Sequence, residues 1–106
     1  MKALDKKFVH VVNFYLKSGL SEEQIRHFET GMSSLHVIDE IRVFNVGRPA
    51  ATDRPTIDRS YSYSVLMIFD NQEGHDIYQV HPVHRQFVEN CKQYWEKAVI
   101  FDAETI

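Results

Sequence analysis

Tyr78 and His84 bracket the dipeptide His81-Pro82, which places a phenol and an imidazole close together in the chain. A phenol can donate to a carbonyl oxygen while an imidazole removes an α-proton. That division of labour suits enolisation, aldol closure or a related acid–base step. Pro82 has a fixed φ and no backbone N–H, so it fits the first turn of a helix. Stepping on from Pro82 at the helical period puts His84, Phe87, Val88, Cys91, Trp95 and Ala98 on one face. His84 then heads a buried stripe, where a polar ring is costly unless paired. Helical N–H groups and burial both disfavour imidazolium there, so a neutral ring is expected at pH 7. In the plainer reading, the two rings only hold the helix break. The other histidines say less. His10, alone in an apolar strand, reads first as a satisfied core residue. His81 is held extended by the following proline and reads as part of the break. His81 and His84 could bite a metal, but no third ligand is evident, so no metal site is expected.

The elements that would position these groups follow from local pattern. Phe8 to Leu16 is β-branched and aromatic, with no Gly or Pro, and reads as a strand. Both its faces are apolar, one carrying His10, Val12 and Phe14, the other Val9, Val11 and Tyr15. Ser21 followed by Gln24 is a capping box, opening a helix over 21–35. Strands follow over 41–46 and 61–69, separated by a polar loop containing Pro49 and Pro55. A short helix from Asp70 or Asn71 to Gln79 precedes the helix at Pro82, and a last strand covers 98–103. The order β-α-β-β-α-β predicts a ferredoxin-like α+β fold, an antiparallel four-stranded sheet with helices on one face. The other face is too apolar for water, which predicts a homodimer packed through the sheet.

A length of 106 residues allows one domain, residues 1–106. The net charge of -3 argues against a nucleic-acid partner. No apolar run is long enough to span a bilayer. The start lacks a secretory h-region, so a cytoplasmic protein is expected. Cys91, the single cysteine, cannot form an internal disulfide and reads as core. There is no Gly-rich phosphate loop, nucleophile elbow or nicotinamide fingerprint, and no cofactor is expected.

The sequence also resembles a known family, the stress-responsive α/β-barrel (Dabb, dimeric α/β barrel) domain. The residues that carry this are Phe8-Val9-His10-Val11-Val12, Phe14, Gly47, Phe69, Tyr78, His81-Pro82, His84 and Phe87. Trp95-Glu96-Lys97 and Ile100-Phe101-Asp102 look like the plant member that makes olivetolic acid, a polyketide cyclase. The resemblance implies an eight-stranded barrel built by two subunits, with Tyr78 and His84 as the catalytic pair. It implies a pocket lined by His10, Val12, Phe14, Phe28, Val65, Phe87, Trp95 and Ile100. It also shows departures. Tyr63 stands where the cyclase has histidine, Val88 where it has glycine, and Met32 and Ser33 replace residues of other shapes. A different substrate is therefore expected.

The first functional reading is a homodimer with a small apolar pocket that binds or transforms a carbonyl or phenolic molecule. A small aromatic or polyketide-like compound is the expected ligand, and the chemistry would be cofactor-independent, cyclase- or lyase-like. The second is a non-catalytic stress-associated barrel whose cavity is filled by Phe87, Val88 and Trp95. The third is a cofactor-free monooxygenase.

Overall fold

In the computed structural model, residues 3–106 are described. Strand β1 (Phe8–Leu16) runs into helix α1 (Glu22–Ser34), a 3₁₀ turn (Leu35–Val37) and strand β2 (Ile41–Gly47). Strand β3 (Tyr63–Phe69), helix α2 (Gln72–Val80) and helix α3 (Pro82–Cys91) follow. A second 3₁₀ turn (Lys92–Tyr94) leads into strand β4 (Trp95–Glu104). The strands form one antiparallel sheet in the order β2-β3-β1-β4. This is the ferredoxin-like arrangement expected from the pattern, an α+β fold with the long elements close to the expected places.

Local chemistry sets the helix ends. The Ser21 hydroxyl accepts from the Gln24 N–H, and the Gln24 side chain accepts from the Ser21 N–H, closing the capping box. Asn71 Oδ1 accepts from the Gly74 N–H at 3.0 Å and starts α2. His81 ends α2 and begins α3. Its N–H donates to the Tyr78 carbonyl at 3.1 Å, and its Nδ1 accepts from the Val83 N–H at 3.1 Å. Its extended backbone is the one a residue before proline favours. The chain leaves β1 through a turn in which Gly19 takes φ +81°, a left-handed conformation that suits glycine.

The core lies between the sheet and the helices. Phe8, Val12 and Phe14 of β1 and Val65, Met67 and Phe69 of β3 meet Phe28 and Met32 of α1 and Phe87 and Cys91 of α3. Each such aromatic side chain contributes about 1.5–3 kcal/mol by leaving water. On the opposite face, Val43 and Phe101 are exposed, and Val9, Val11, Tyr15, Leu66 and Ile68 are half-buried.

Two boundaries differ from the sequence reading. Trp95 falls on the helical face that runs on from Pro82, but α3 stops at Cys91 and Trp95 opens β4; Ala98, which continues that period, lies on the strand expected over 98–103. The run from Trp95 to Phe101 is rich in β-formers and pairs with β1 from Leu16 back to Val11. That ladder is tertiary, and it outweighs the helical period of the apolar residues. At the start of β3, Tyr61 and Ser62 lie outside the strand, although the Ser62 N–H still donates to the Phe14 carbonyl at 2.7 Å.

Candidate functional site

A cavity of about 210 Å³ opens between the sheet and the pair α2–α3. From β1 it receives His10, Val12 and Phe14, alternate residues that share a face. From β3 come Val65 and Met67, and from β4 come Trp95, Ala98 and Ile100. Helix α2 contributes Tyr78 and Gln79, and α3 contributes His84, Phe87 and Val88. The structure thus brings together both residues of the expected pair and every expected lining residue except Phe28. Phe28 is fully buried one layer back, against Phe14, Phe87 and Trp95, and does not reach the cavity. It sits on α1, which covers the end of the sheet away from Tyr78.

The wall is apolar except at one end. There the rings of Tyr78 and His84 lie 4.5 Å apart, inclined by 58°. The His81-Pro82 break produces this meeting, because it ends one helix just after Tyr78 and restarts another just before His84. Burial raises the Tyr78 pKa well above that of a free phenol, so the hydroxyl keeps its proton. Burial holds the His84 pKa below its ordinary value, against the opposing pull of the Gln79 carbonyl. The positive charge that His10, His75 and His81 would carry lowers it further. His84 Nδ1 is buried and has no hydrogen-bond partner among the described residues. An unsatisfied buried nitrogen costs about 1–3 kcal/mol.

His10 forms the adjoining wall and is almost completely buried. Its Nδ1–H donates to Asp102 Oδ1 at 2.5 Å, which leaves Nε2 as its free nitrogen. Burial lowers the His10 pKa more than the Asp102 contact raises it. Beyond His10 stands His75 of α2, with ring centres 4.9 Å apart. Of His75 and Asp102, only Asp102 falls among the residues of the family resemblance, and it has no role there. The signal available was the position of His10 and Asp102 on the same face of neighbouring strands, but it depends on the β1–β4 register.

Other expected positions lie elsewhere. Tyr63 faces α1, and its hydroxyl donates to Glu29 Oε2 at 2.5 Å. Burial, followed by that carboxylate, pushes its pKa up to about 12. Met32 is core, Ser33 is exposed, and neither lines the cavity. Val88, the bulky departure from the cyclase pattern, does line it.

The sequence profile described as "Stress responsive A/B Barrel Domain" matches residues 8–105. The chain belongs to the stress-responsive A/B barrel family. Solved structures agree with this at the level of fold. A Dabb family protein with a ferredoxin-like fold from Mesorhizobium loti is 25% identical, with a TM-score of 0.77, covering 96% of this chain and 99% of that one. A dimeric ferredoxin-like protein of unknown function from Thermobifida fusca is 21% identical, with a TM-score of 0.76, covering 94% of this chain and 92% of that one. Hydroxynitrile lyase from Passiflora edulis is also 21% identical, with a TM-score of 0.76 and 94% of each chain covered. Among curated proteins, no sequence matches this stress-responsive A/B barrel chain. Nothing in these comparisons singles out a polyketide cyclase.

Proposed function

We propose that this stress-responsive A/B barrel protein is a homodimer that binds and transforms a small carbonyl or phenolic compound by acid–base chemistry of the lyase or cyclase kind. The observation that carries this reading is the buried, unpartnered His84 Nδ1 beside the Tyr78 ring at the polar end of an apolar cavity. A ligand with a polar atom there would satisfy the orphaned nitrogen while its apolar body fills the space. The proton leaves a carbon next to the substrate carbonyl and goes to His84. The Tyr78 hydroxyl donates to the carbonyl oxygen, which stabilises the enolate. The enolate then closes on a second carbonyl, or a leaving group departs, and the His84 imidazolium returns its proton. A protonated Tyr78 and a neutral His84 are the forms that these roles need.

Cavity size narrows the ligand. A cavity of about 150 Å³ already accepts benzene, so one of about 210 Å³ takes a single ring with short substituents. The filled-core alternative needs Phe87, Val88 and Trp95 to close this space, whereas they line it. The Passiflora edulis hydroxynitrile lyase has a lyase's name and this fold, which is compatible with the reading at the level of fold alone. The dimer is supported by the exposed Val43 and Phe101 on the uncovered sheet face and by relatives described as dimeric.

The test is a thermal-shift screen of small aromatic ketones, aldehydes and phenols, followed by turnover assays on the hits. Tyr78→Phe and His84→Ala are expected to keep the fold and to lower turnover by about 10²–10⁴-fold. Hits whose affinity and turnover are unchanged in both variants would sink the assignment, as would the absence of any stabilising compound.

A further inference from the structure

We propose that His10, His75 and Asp102 form a binding site for a divalent transition-metal ion. His10 and Asp102 are direct cross-strand partners on β1 and β4, so their side chains leave the sheet on the same face. His75 comes down onto them from α2, its ring held between those of Phe8 and His10 at 4.6 and 4.9 Å. One donor atom from each of the three residues lies within 4.8 Å of the others. The Asp102 carboxylate links the two rings, with Oδ1 2.5 Å from His10 Nδ1 and Oδ2 3.9 Å from His75 Nε2.

The donor set selects the kind of ion. Two imidazoles and one carboxylate suit zinc, cobalt, nickel or ferrous iron, whereas magnesium and calcium prefer oxygen ligands. Three protein ligands leave a position for water or another ligand. The surroundings are those of a metal-binding histidine. His75 Nδ1–H donates to Asp76 Oδ1 at 3.1 Å, the outer carboxylate contact that fixes a ligating ring with its other nitrogen free to bind. In this structure that other nitrogen, Nε2, accepts from the Gln79 amide at 3.2 Å. Donors around a tetrahedral ion sit about 3.3 Å apart, given bonds near 2.0–2.1 Å. Binding therefore asks the Asp102 carboxylate to turn away from His10, the Gln79 amide to release His75, and the two rings to close slightly. The Asp102 side chain is 38% exposed, which gives it room to turn and gives the ion a path in. The His10 Nδ1 proton leaves as the ion arrives. His10 also lines the cavity, and its ring lies 5.8 Å from that of Tyr78, so the ion would sit beside the Tyr78 end of the cavity. This inference does not depend on the acid–base reading.

Co²⁺ titration of the chelator-stripped protein, followed by visible absorption and competed with Zn²⁺, tests the site. One equivalent of Co²⁺ should bind with the intense bands of a low-coordinate N/O site. Asp102→Asn and His75→Gln should each weaken it by at least about 100-fold, the upper loss known for outer-shell partners. His36→Ala, at an exposed histidine, should bind as the wild type does. Asp102→Asn changes a partly exposed group, so its fold, checked by circular dichroism, should persist. The proposal is overturned if the wild type shows no saturable Co²⁺ uptake. It is equally overturned if both variants bind as tightly as the wild type.

Discussion

His84 faces two demands that pull against each other. It is held among apolar side chains with one nitrogen unpaired, which costs stability, and it stays neutral for the same reason. Folding lowers its pKa below the unfolded value near 6.5. In that range the unfolded chain binds the proton more readily than the native one. Stability from this group is therefore full above about pH 6.5 and falls as the pH drops from there towards the folded value. Proton NMR of the His84 ring should give a midpoint below 6.5, and a midpoint above 7 would remove the neutral-base role. Replacing His84 with glutamine, which cannot titrate here, should flatten the loss of stability below pH 6.5. His10 is displaced in the same direction, so part of the slope should persist in that variant.

At the level of elements, the site depends on two local devices. The first is the break between α2 and α3. His81 caps α3 through Nδ1, so His81→Ala should lower stability by about 1 kcal/mol in denaturant titrations. On the proposed acid–base reading it should also reduce turnover, because the turn it closes sets the Tyr78–His84 separation. The second device is the close approach of α1 and α3. A β-carbon at Gly31 would meet Cys91 Sγ at 2.6 Å and the Phe87 ring at 3.2 Å. Gly31→Ala should therefore cost about 1–3 kcal/mol by overpacking. Adding Cys91→Ala removes the nearer obstacle, and the double variant should be more stable than the sum of the two single effects. Strict additivity in that cycle would mean that the helices move apart freely.

The whole molecule leaves one sheet face uncovered. Val11 lies at its centre, paired with Leu66 on one side and Phe101 on the other. A second copy packed on this face would bury that apolar surface, and Val11→Asp would then trap an unpaired carboxylate in the interface. An uncompensated buried charge costs about 3–5 kcal/mol. Sedimentation should show a wild-type dimer at micromolar concentration and a monomer or an unfolded chain for Val11→Asp. A well-folded wild-type monomer at that concentration would remove the dimer from the proposal.

Much of this protein is legible along the chain because its causes are local. The alternation in β1, the Ser21 capping box, the polar loop before β3 and the stop at His81-Pro82 each depend on residues a few positions apart. The family resemblance likewise needs only short motifs; it named many of the cavity's residues, but it added Phe28 and left out Met67 and Gln79. What the sequence could not settle is where distant segments meet. Trp95 follows the period of a helix, yet it sits on a strand because β1 offers it a ladder. Phe28 has the chemistry of a lining residue, yet the packing of α1 sets it one layer behind. His10 and Asp102 come from opposite ends of the chain and His75 from between them, and only the register of β1 on β4 beneath α2 brings the three together. Periodicity specifies which face a side chain takes, whereas register and helix docking decide what it faces. Those depend on long-range packing that no window of sequence contains.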